Sequence, residues 1–391
     1  MSKPQFAVIS TGEVPCGIYP DRTPLEIACS VSFEAIQEAG INKNEIDAVF
    51  GAGAIMDNDW GTEITFGRVP EALGLKNCKI AAMGSAGGST SFALQKMAMG
   101  VLATGEANMV LCVHAQRFSA FTPAQQAEGF ARAGSDPEWE YPYGLGYNAL
   151  TGMMAERYLY ETGATVEDFA AVIVSHRKWA QLQQNAMSKK DLTLEQVLKA
   201  KVVSTPYTSY MSNILADGGS AYIMTTAERA RKLVSKPVYF LGEGSAFSHR
   251  NLTKAENIVR IVNKKAADEA YNRAGLGPKD MDIAQVYASY PANTLAMFED
   301  FGFAAPGEGG RCFREGHTWP GGKIPTATLG DSNSFGHTGT GVGMYFFCES
   351  VRQLQGKAGK AQVPGARFLI ENTAGGAYMD CHCNILGNQL P

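Results

Sequence analysis

The chain has 391 residues, beyond the roughly 100–200 that one compact unit usually holds, which excludes a small peptide-binding module and points to two units or two similar halves. Charged residues make up 18% and hydrophobic residues 45%, and the 43 glycines exceed the usual share of about 7%; this describes a globular chain with a large core and many loops. The net charge is −4 and the 34 basic residues are scattered, which argues against a nucleic-acid footprint or a cationic membrane-binding face.

In chain order, FAVIST (6–11) reads as an apolar strand, PLEIACSVSFEAIQEAG (24–40) carries helical spacing and stops at Gly40, and IDAVFGAGAI (46–55) is strand-like again. A second round follows: KIAAM (79–83) as strand, GGSTSFALQKMAMGVLATG (87–105) as a largely buried helix, and ANMVLCVHA (107–115) as strand. Such alternation calls for a mostly parallel sheet covered by helices. Residues 116–210 break the pattern with polar, aromatic and Pro/Gly-rich stretches around the helices ALTGMMAERYLYETG and LTLEQVLKAK, and read as an insertion that forms a lid over a ligand. SNILADGGSAYIMTT (212–226) then returns to the core.

The second half repeats the first. KPVYFLGEGSAF (236–247) is a strand, NIVRIVNKKAADEAYNRAGL (257–276) a helix and DIAQVYASY (282–290) a strand; VGMYFFCESVRQLQG (342–356) is a helix, and RFLIEN and AYMDCHCNILG are the last strands. AGINKNEIDAVF at 39–50 and AGLGPKDMDIAQVY at 274–287 form an internal echo 235 residues apart, each a helix end, a short acidic loop and an apolar strand. The expected division is 1–115 with 211–233, a loop domain at 116–210, and a second half at 234–391.

No apolar run reaches the roughly 18 residues of a membrane span, and MSKPQFAVIS lacks the charged and apolar regions of a secretory signal, so a cytoplasmic location is expected. The eight cysteines form no CxxC pair, and reduced thiols are the default. Cys381-His382-Cys383 clusters in sequence, but alternation along a strand sends His382 to the opposite face, so no metal is expected in this chain.

Several strings together resemble the thiolase superfamily, in its sterol-carrier-protein-type branch, over nearly the whole chain. Residues 175–226, with Asp217-Gly218-Gly219 before an apolar strand, are similar to that branch's passage from loop domain to core. GHTGTGVGMYFFCESVRQLQG (336–356) resembles the family's Gly-His-Pro motif running into a helix and puts the family histidine on His337. NTAGGAY (372–378) resembles the C-terminal glycine turn. The resemblance implies a duplicated α/β thiolase fold, five-layered αβαβα with mixed sheets, and coenzyme A as a substrate.

The departures from the family are as informative. The nucleophilic cysteine, which a helix N-terminus would favour as thiolate, falls on Gly84 beside Ser85, and the second cysteine falls on Thr373. Val286-Tyr287-Ala288-Ser289-Tyr290 stands where Asn-Glu-Ala-Phe is usual. In this respect the chain resembles steroid side-chain aldolases of the branch and is compared with two-component thiolases of the benzoylsuccinyl-CoA kind.

The candidate catalytic set is His337, Asn372 and the Gly375-Gly376 amides as donors to a thioester enolate oxygen, Tyr287 for proton transfer at the Cβ oxygen, Thr373, Tyr147, and Ser85 as nucleophile or helix cap. Coenzyme A would be held by His176, Arg177 and Lys178 or by the 187–190 run at its phosphates, and by Ser245 and Phe247 along its pantetheine. Three functions follow from the resemblance. The first is CoA-dependent cleavage or formation of a bulky, branched or aromatic 3-oxoacyl-CoA, a thiolase-type acyl transfer; the others are retro-aldol cleavage of a 3-hydroxyacyl-CoA, and a non-catalytic acyl-CoA-binding scaffold. A homodimer through ANMVLCVHA and SFALQKMAM is implied, joined by a separate small zinc-ribbon and OB-fold subunit to give α2β2.

Overall fold

The computed structural model describes residues 4–52, 65–260 and 262–391; the end of the IDAVFGAGAI run at 53–55, Ile261 within the helical run at 257–276, and the first three residues of the N-terminus lie outside the described residues. The first half contains β1 (Phe6–Gly17), α1 (Pro24–Ala39), β2 (Ala48–Ala52), α2 (Thr65–Leu73), β3 (Ile80–Gly84), α3 (Thr90–Thr104) and β4 (Met109–Gln116). The loop region adds α4 (Pro123–Gly134), α5 (Tyr147–Thr162), α6 (Val166–Ala180), α7 (Leu194–Leu198) and the short pair β5 (Val202–Ser204) and β6 (Tyr207–Thr208), before β7 (Asp217–Thr226) and α8 (Ala227–Leu233). The rest comprises β8 (Val238–Phe247), α9 (Asn263–Ala274), β9 (Ile283–Gln285), α10 (Pro291–Asp300), α11 (Gly309–Arg314), α12 (Val342–Gln355), β10 (Phe368–Thr373) and β11 (Asp380–Gly387).

Nine strands run in the order β3-β2-β4-β7-β1-β8-β11-β10-β9. This order is near-palindromic, pairing β1 with β8, β7 with β11, β4 with β10 and β2 with β9, and it gives the duplication its physical form. The halves meet at an antiparallel seam, Ala7 opposite Tyr239 and Val8 opposite Val238, so the two sheets expected from the sequence are one hydrogen-bonded sheet folded about α3 and α12. Side-chain alternation builds the layers. On β4, Met109, Leu111 and Val113 face α1 on the outside, while Val110 and Cys112 face the central helices. On β10, Phe368 and Ile370 face outward and Leu369 inward. The layers follow as outer helix, sheet, α3 with α12, sheet, outer helix.

The 235-residue echo holds in atomic detail. Gly40 and Gly275 both end their helices with positive φ (65° and 66°), the conformation glycine adopts without a Cβ clash. Glu45 then caps the backbone N–H of Asn42, and Asp280 caps that of Gly277. One step on, Asp47 accepts the amides of Asn108 and Met109 at the start of β4, and Asp282 accepts those of Arg367 and Phe368 at the start of β10.

Three expectations change, and the expected split of the Cys381-His382-Cys383 run holds. Helix α9 starts at Asn263 rather than 257. β9 ends at Gln285, so Tyr287 lies two residues past it. ANMVLCVHA cannot form a subunit interface on its own: β4 lies between β2 and β7 and is buried within this chain, and the free edge of the first half is β3. Cys381 and Cys383 point together into the core, their sulfurs 3.8 Å apart, while His382 stacks on Phe92.

Candidate active site

A cavity of about 780 Å³ opens between the halves under the loop region. Four segments build it: Ser85–Gly88 ahead of α3, Tyr287–Tyr290 after β9, the loop carrying His337, and the turn from Ala374 to Met379. The first and last are pressed together. A Cβ on Gly87 would lie 2.9 Å from the Gly376 nitrogen, and one on Gly88 would meet the Ala374 carbonyl at 2.3 Å and the Tyr287 ring at 2.9 Å. Phe130 of α4 and Tyr147 at the start of α5 form the opposite wall, Phe130 standing edge-on to His337 with ring centroids 5.8 Å apart.

His337 sits at the centre. Its Nδ1 accepts the N–H of Gly339 at 3.1 Å, so the neutral ring carries its proton on Nε2, and Nε2 lies 3.5 Å from the Tyr287 hydroxyl. Burial pushes the imidazole down to about 4, leaving at neutral pH an uncharged N–H donor on the cavity wall. Burial also pushes the Tyr287 phenol well above its usual range, so it stays protonated. The Tyr287 backbone is held on both sides by one residue: Asn372 Oδ1 accepts its N–H at 3.0 Å, and Asn372 Nδ2 donates to its carbonyl at 3.1 Å.

Several predicted site residues converge on this cavity: Ser85, Tyr147, Tyr287, His337 and Gly376 line it. Asn372 does not, because its amide is spent on the Tyr287 backbone and cannot also meet an enolate. Thr373 is buried behind the wall with its hydroxyl unpartnered, and Gly375 gives its N–H to Asp380 at 2.7 Å. Gly84 ends β3, where a Cβ would face Leu94 and Met97 rather than the cavity. Ser85 is not the helix cap either: α3 starts at Thr90 with Ser89 at that position.

The residues assigned to coenzyme A lie elsewhere. His176 and Arg177 are buried in α6, His176 against Asn333 and Arg177 on Ser334 Oγ and the Lys190 carbonyl. Lys178 lies over the Trp319 ring. Lys189 of the 187–190 run turns back onto the Gln184 carbonyl. Ser245 and Phe247 are exposed on β8, outside the cavity lining.

Sequence reasoning missed Tyr378 and Arg250. Tyr378 lines the cavity with φ 57° and donates its hydroxyl to the Ala288 carbonyl, and Arg250 brings a guanidinium to the cavity wall, bonded to the Ala133 carbonyl. Arg250 lies three residues past the quoted KPVYFLGEGSAF, and Tyr378 ends the quoted NTAGGAY, so position in or beside a quoted string was the available signal. None of the eight cysteines lines the cavity.

The second half, residues 244–388, matches the family model described as thiolase C-terminal domain-like. An acetyl-CoA acetyltransferase of Methanothermobacter thermautotrophicus is 30% identical over 95% of this chain and 96% of its own, and the chain belongs to the thiolase superfamily. Within it, a steroid side-chain-cleaving aldolase of Thermomonospora curvata is 30% identical over 90% of each chain. The benzoylsuccinyl-CoA thiolase subunit BbsB of Thauera aromatica is 29% identical over 64% of this chain and 66% of its own. Among solved structures, the Ltp2-ChsH2(DUF35) aldolase superposes with a TM-score of 0.84 at 27% identity, covering 98% of this chain and 97% of its own. Human mitochondrial 3-ketoacyl-CoA thiolase in complex with CoA, 16% identical with a TM-score of 0.71 over 99% and 98%, shares the fold. No described helix is long and apolar enough to cross a membrane, and no described group of three His, Cys, Asp or Glu side chains could hold a metal.

Proposed function

We propose that the chain is a carbon–carbon lyase that cleaves, and in reverse forms, a 3-hydroxyacyl-CoA by a retro-aldol reaction. The carrying observation is a cavity wall on which the Tyr287 hydroxyl and the His337 Nε2–H stand side by side and no cysteine appears. A thiolase-type transfer holds an acyl group on a nucleophile between two steps; here Ser85, the cavity hydroxyl beside the position where the family nucleophile is expected, has no base bonded to it among the described residues. A retro-aldol cleavage needs no such anchor. The likeness to the two aldolases supports the same choice.

In the cleavage direction, Tyr287 Oη works as a concerted relay: it takes the proton of the substrate's 3-hydroxyl in the same step in which its own phenolic proton moves towards C2, while the bond between C2 and C3 breaks and C3–O becomes a carbonyl. The bond's electron pair develops enolate charge on the thioester oxygen, which takes a hydrogen bond from His337 Nε2–H. The phenol's own proton passes to C2, giving a ketone or aldehyde and a shortened acyl-CoA. Tyr287 never has to exist as a free phenolate, which fits a phenol held protonated by burial. Arg250, at the cavity wall near exposed backbone, is the cation suited to the coenzyme A phosphates, and Tyr378 braces the turn that carries Tyr287.

The substrate carries a bulky acyl group, in keeping with a cavity of this size and with the steroid and aromatic substrates that its relatives' names describe. A homodimer paired with a separate small subunit is the proposed assembly, by likeness to the Ltp2-ChsH2 aldolase. The test is incubation of the chain, alone and co-expressed with such a subunit, with branched 3-hydroxyacyl-CoAs in the absence of free CoA. Carbonyl product and shortened acyl-CoA are expected by mass spectrometry, with kcat reduced about 100-fold or more in Tyr287→Phe. Product formation only when free CoA is supplied would restore the thiolase reading.

A further inference from the structure

Behind the Tyr287–Tyr290 turn lies a carboxylate that the chemistry above leaves unused. Asp331 has no exposed surface. Its Oδ1 accepts the N–H of Ser332 at 2.6 Å, while its Oδ2 closes no hydrogen bond. The amides of Ala288 and Ser289, the two residues after Tyr287, act on it and favour its charged form, and its charge in turn bears on the Tyr287 phenol.

Among the described residues no cation compensates this charge. The nearest basic atom, His176 Nδ1, is 4.0 Å from Oδ2, but it is committed to Asn333 and burial pushes that imidazole down to about 3. The Arg177 guanidinium is turned onto Ser334 and Lys190. A buried carboxylate with no ion-pair partner is costly and calls for a reason. The backbone adds a second sign: of the four non-glycine residues described with positive φ, three stand at this site, Ser289 at 63°, Asp331 at 44° and Tyr378 at 57°. Strain of that kind persists where the surroundings over-determine it, and it gathers at functional sites.

We propose that Asp331 is a positioning residue: its carboxylate, set behind the turn, draws the Ala288 and Ser289 amides inward and fixes Tyr287 against His337, so that catalysis needs Asp331 ionised. Burial pushes this carboxyl up to about 6, which places its loss of charge within reach of an ordinary pH profile. The titratable groups around it are His176 and Arg177 of α6, Tyr287 of the turn, and His337 farther along its own loop. Both histidines are neutral near pH 6, with values of about 3 and about 4. Tyr287 is pushed upward, so a transition near pH 6 belongs to Asp331.

The activity arm rests on the retro-aldol reading. In that arm kcat of the wild-type chain falls as pH drops through about 6 while KM holds. Asp331→Asn, which keeps the shape and one acceptor but not the charge, loses about tenfold or more in kcat at neutral pH and loses the acid limb. A second arm needs neither turnover nor a variant at Asp331. In protein labelled with 13C at tyrosine Cζ, the Tyr287 resonance, assigned by its absence in Tyr287→Phe, moves with a midpoint near pH 6. If no 3-hydroxyacyl-CoA is cleaved, the lyase reading falls and the resonance still decides the role of Asp331. A Tyr287 resonance that ignores pH through this range, or an Asp331→Asn enzyme with wild-type kcat and an intact acid limb, overturns the proposal.

Discussion

At the scale of single residues, the site and the core both use burial to hold groups neutral. His337 is kept as a neutral donor and Tyr287 as a phenol, and the same physics acts on Glu371 within β10. Glu371 Oε2 accepts one hydrogen bond from Asn384 at 2.9 Å, Oε1 accepts none, and burial pushes the carboxyl up to about 8. The folded value lies above the unfolded one, so the native state binds more protons between about pH 4.5 and 8, and stability falls as pH rises through that window. Glu371→Gln, neutral at every pH, is expected to flatten the slope and raise Tm by about one to three degrees at the alkaline end, read by thermal melts across pH; an unchanged slope would contradict it. His337 and Tyr287 were legible because each stands in a recognisable string. Asn372 was misread because nothing in sequence reveals that pairing of β10 with β9 turns its amide onto Tyr287. Tyr378 was hidden because its approach to the cavity depends on a left-handed φ that its side chain does not announce.

At the scale of elements, the segment ahead of α3 explains why the site takes the form it does. Where the resemblance expects a side chain to carry an acyl group, this chain has Gly84, followed by Ser85-Ala86-Gly87-Gly88, and the space beside Gly88 is filled by the Tyr287 ring and the Ala374 carbonyl. The glycine and the tyrosine are two sides of one contact. Gly88→Ala is therefore expected to push Tyr287 away from His337 and lower kcat/KM by about 100-fold, with native circular dichroism retained; wild-type turnover would show that the contact does not set the position of the ring. The element borders that the sequence misjudged have a common cause. Val286 to Tyr290 alternates like a strand, but the chain leaves the sheet at Gln285 to form the cavity wall, and only tertiary contacts tell the two apart. The helix ends of the echo were readable because glycine and an acidic cap are local signals.

At the scale of the molecule, the duplication was visible in the sequence, whereas the way the halves are joined was not. Backbone pairing across the seam involves two residue pairs, a small share of what holds them. The larger share is the shared central layer, where Val8, Phe50, Tyr222 and Met224 of the first half pack with Val238, Phe240, Met344 and Leu369 of the second. Phe347 of α12 bridges them directly: it stands edge-on to Tyr222 of β7, centroids 4.8 Å apart, and stacks on Phe240 of β8 at 5.8 Å. Because neither half can bury its inner face without the other, the two should melt together. Phe347→Ala removes a fully buried ring and costs about 3–5 kcal/mol. Calorimetry is then expected to show one transition moved down as a whole, since the lost contacts belong to both halves; two resolved peaks, with the second half melting first, would mean that the lobes are independent and that the cavity between them is held by the loop region instead.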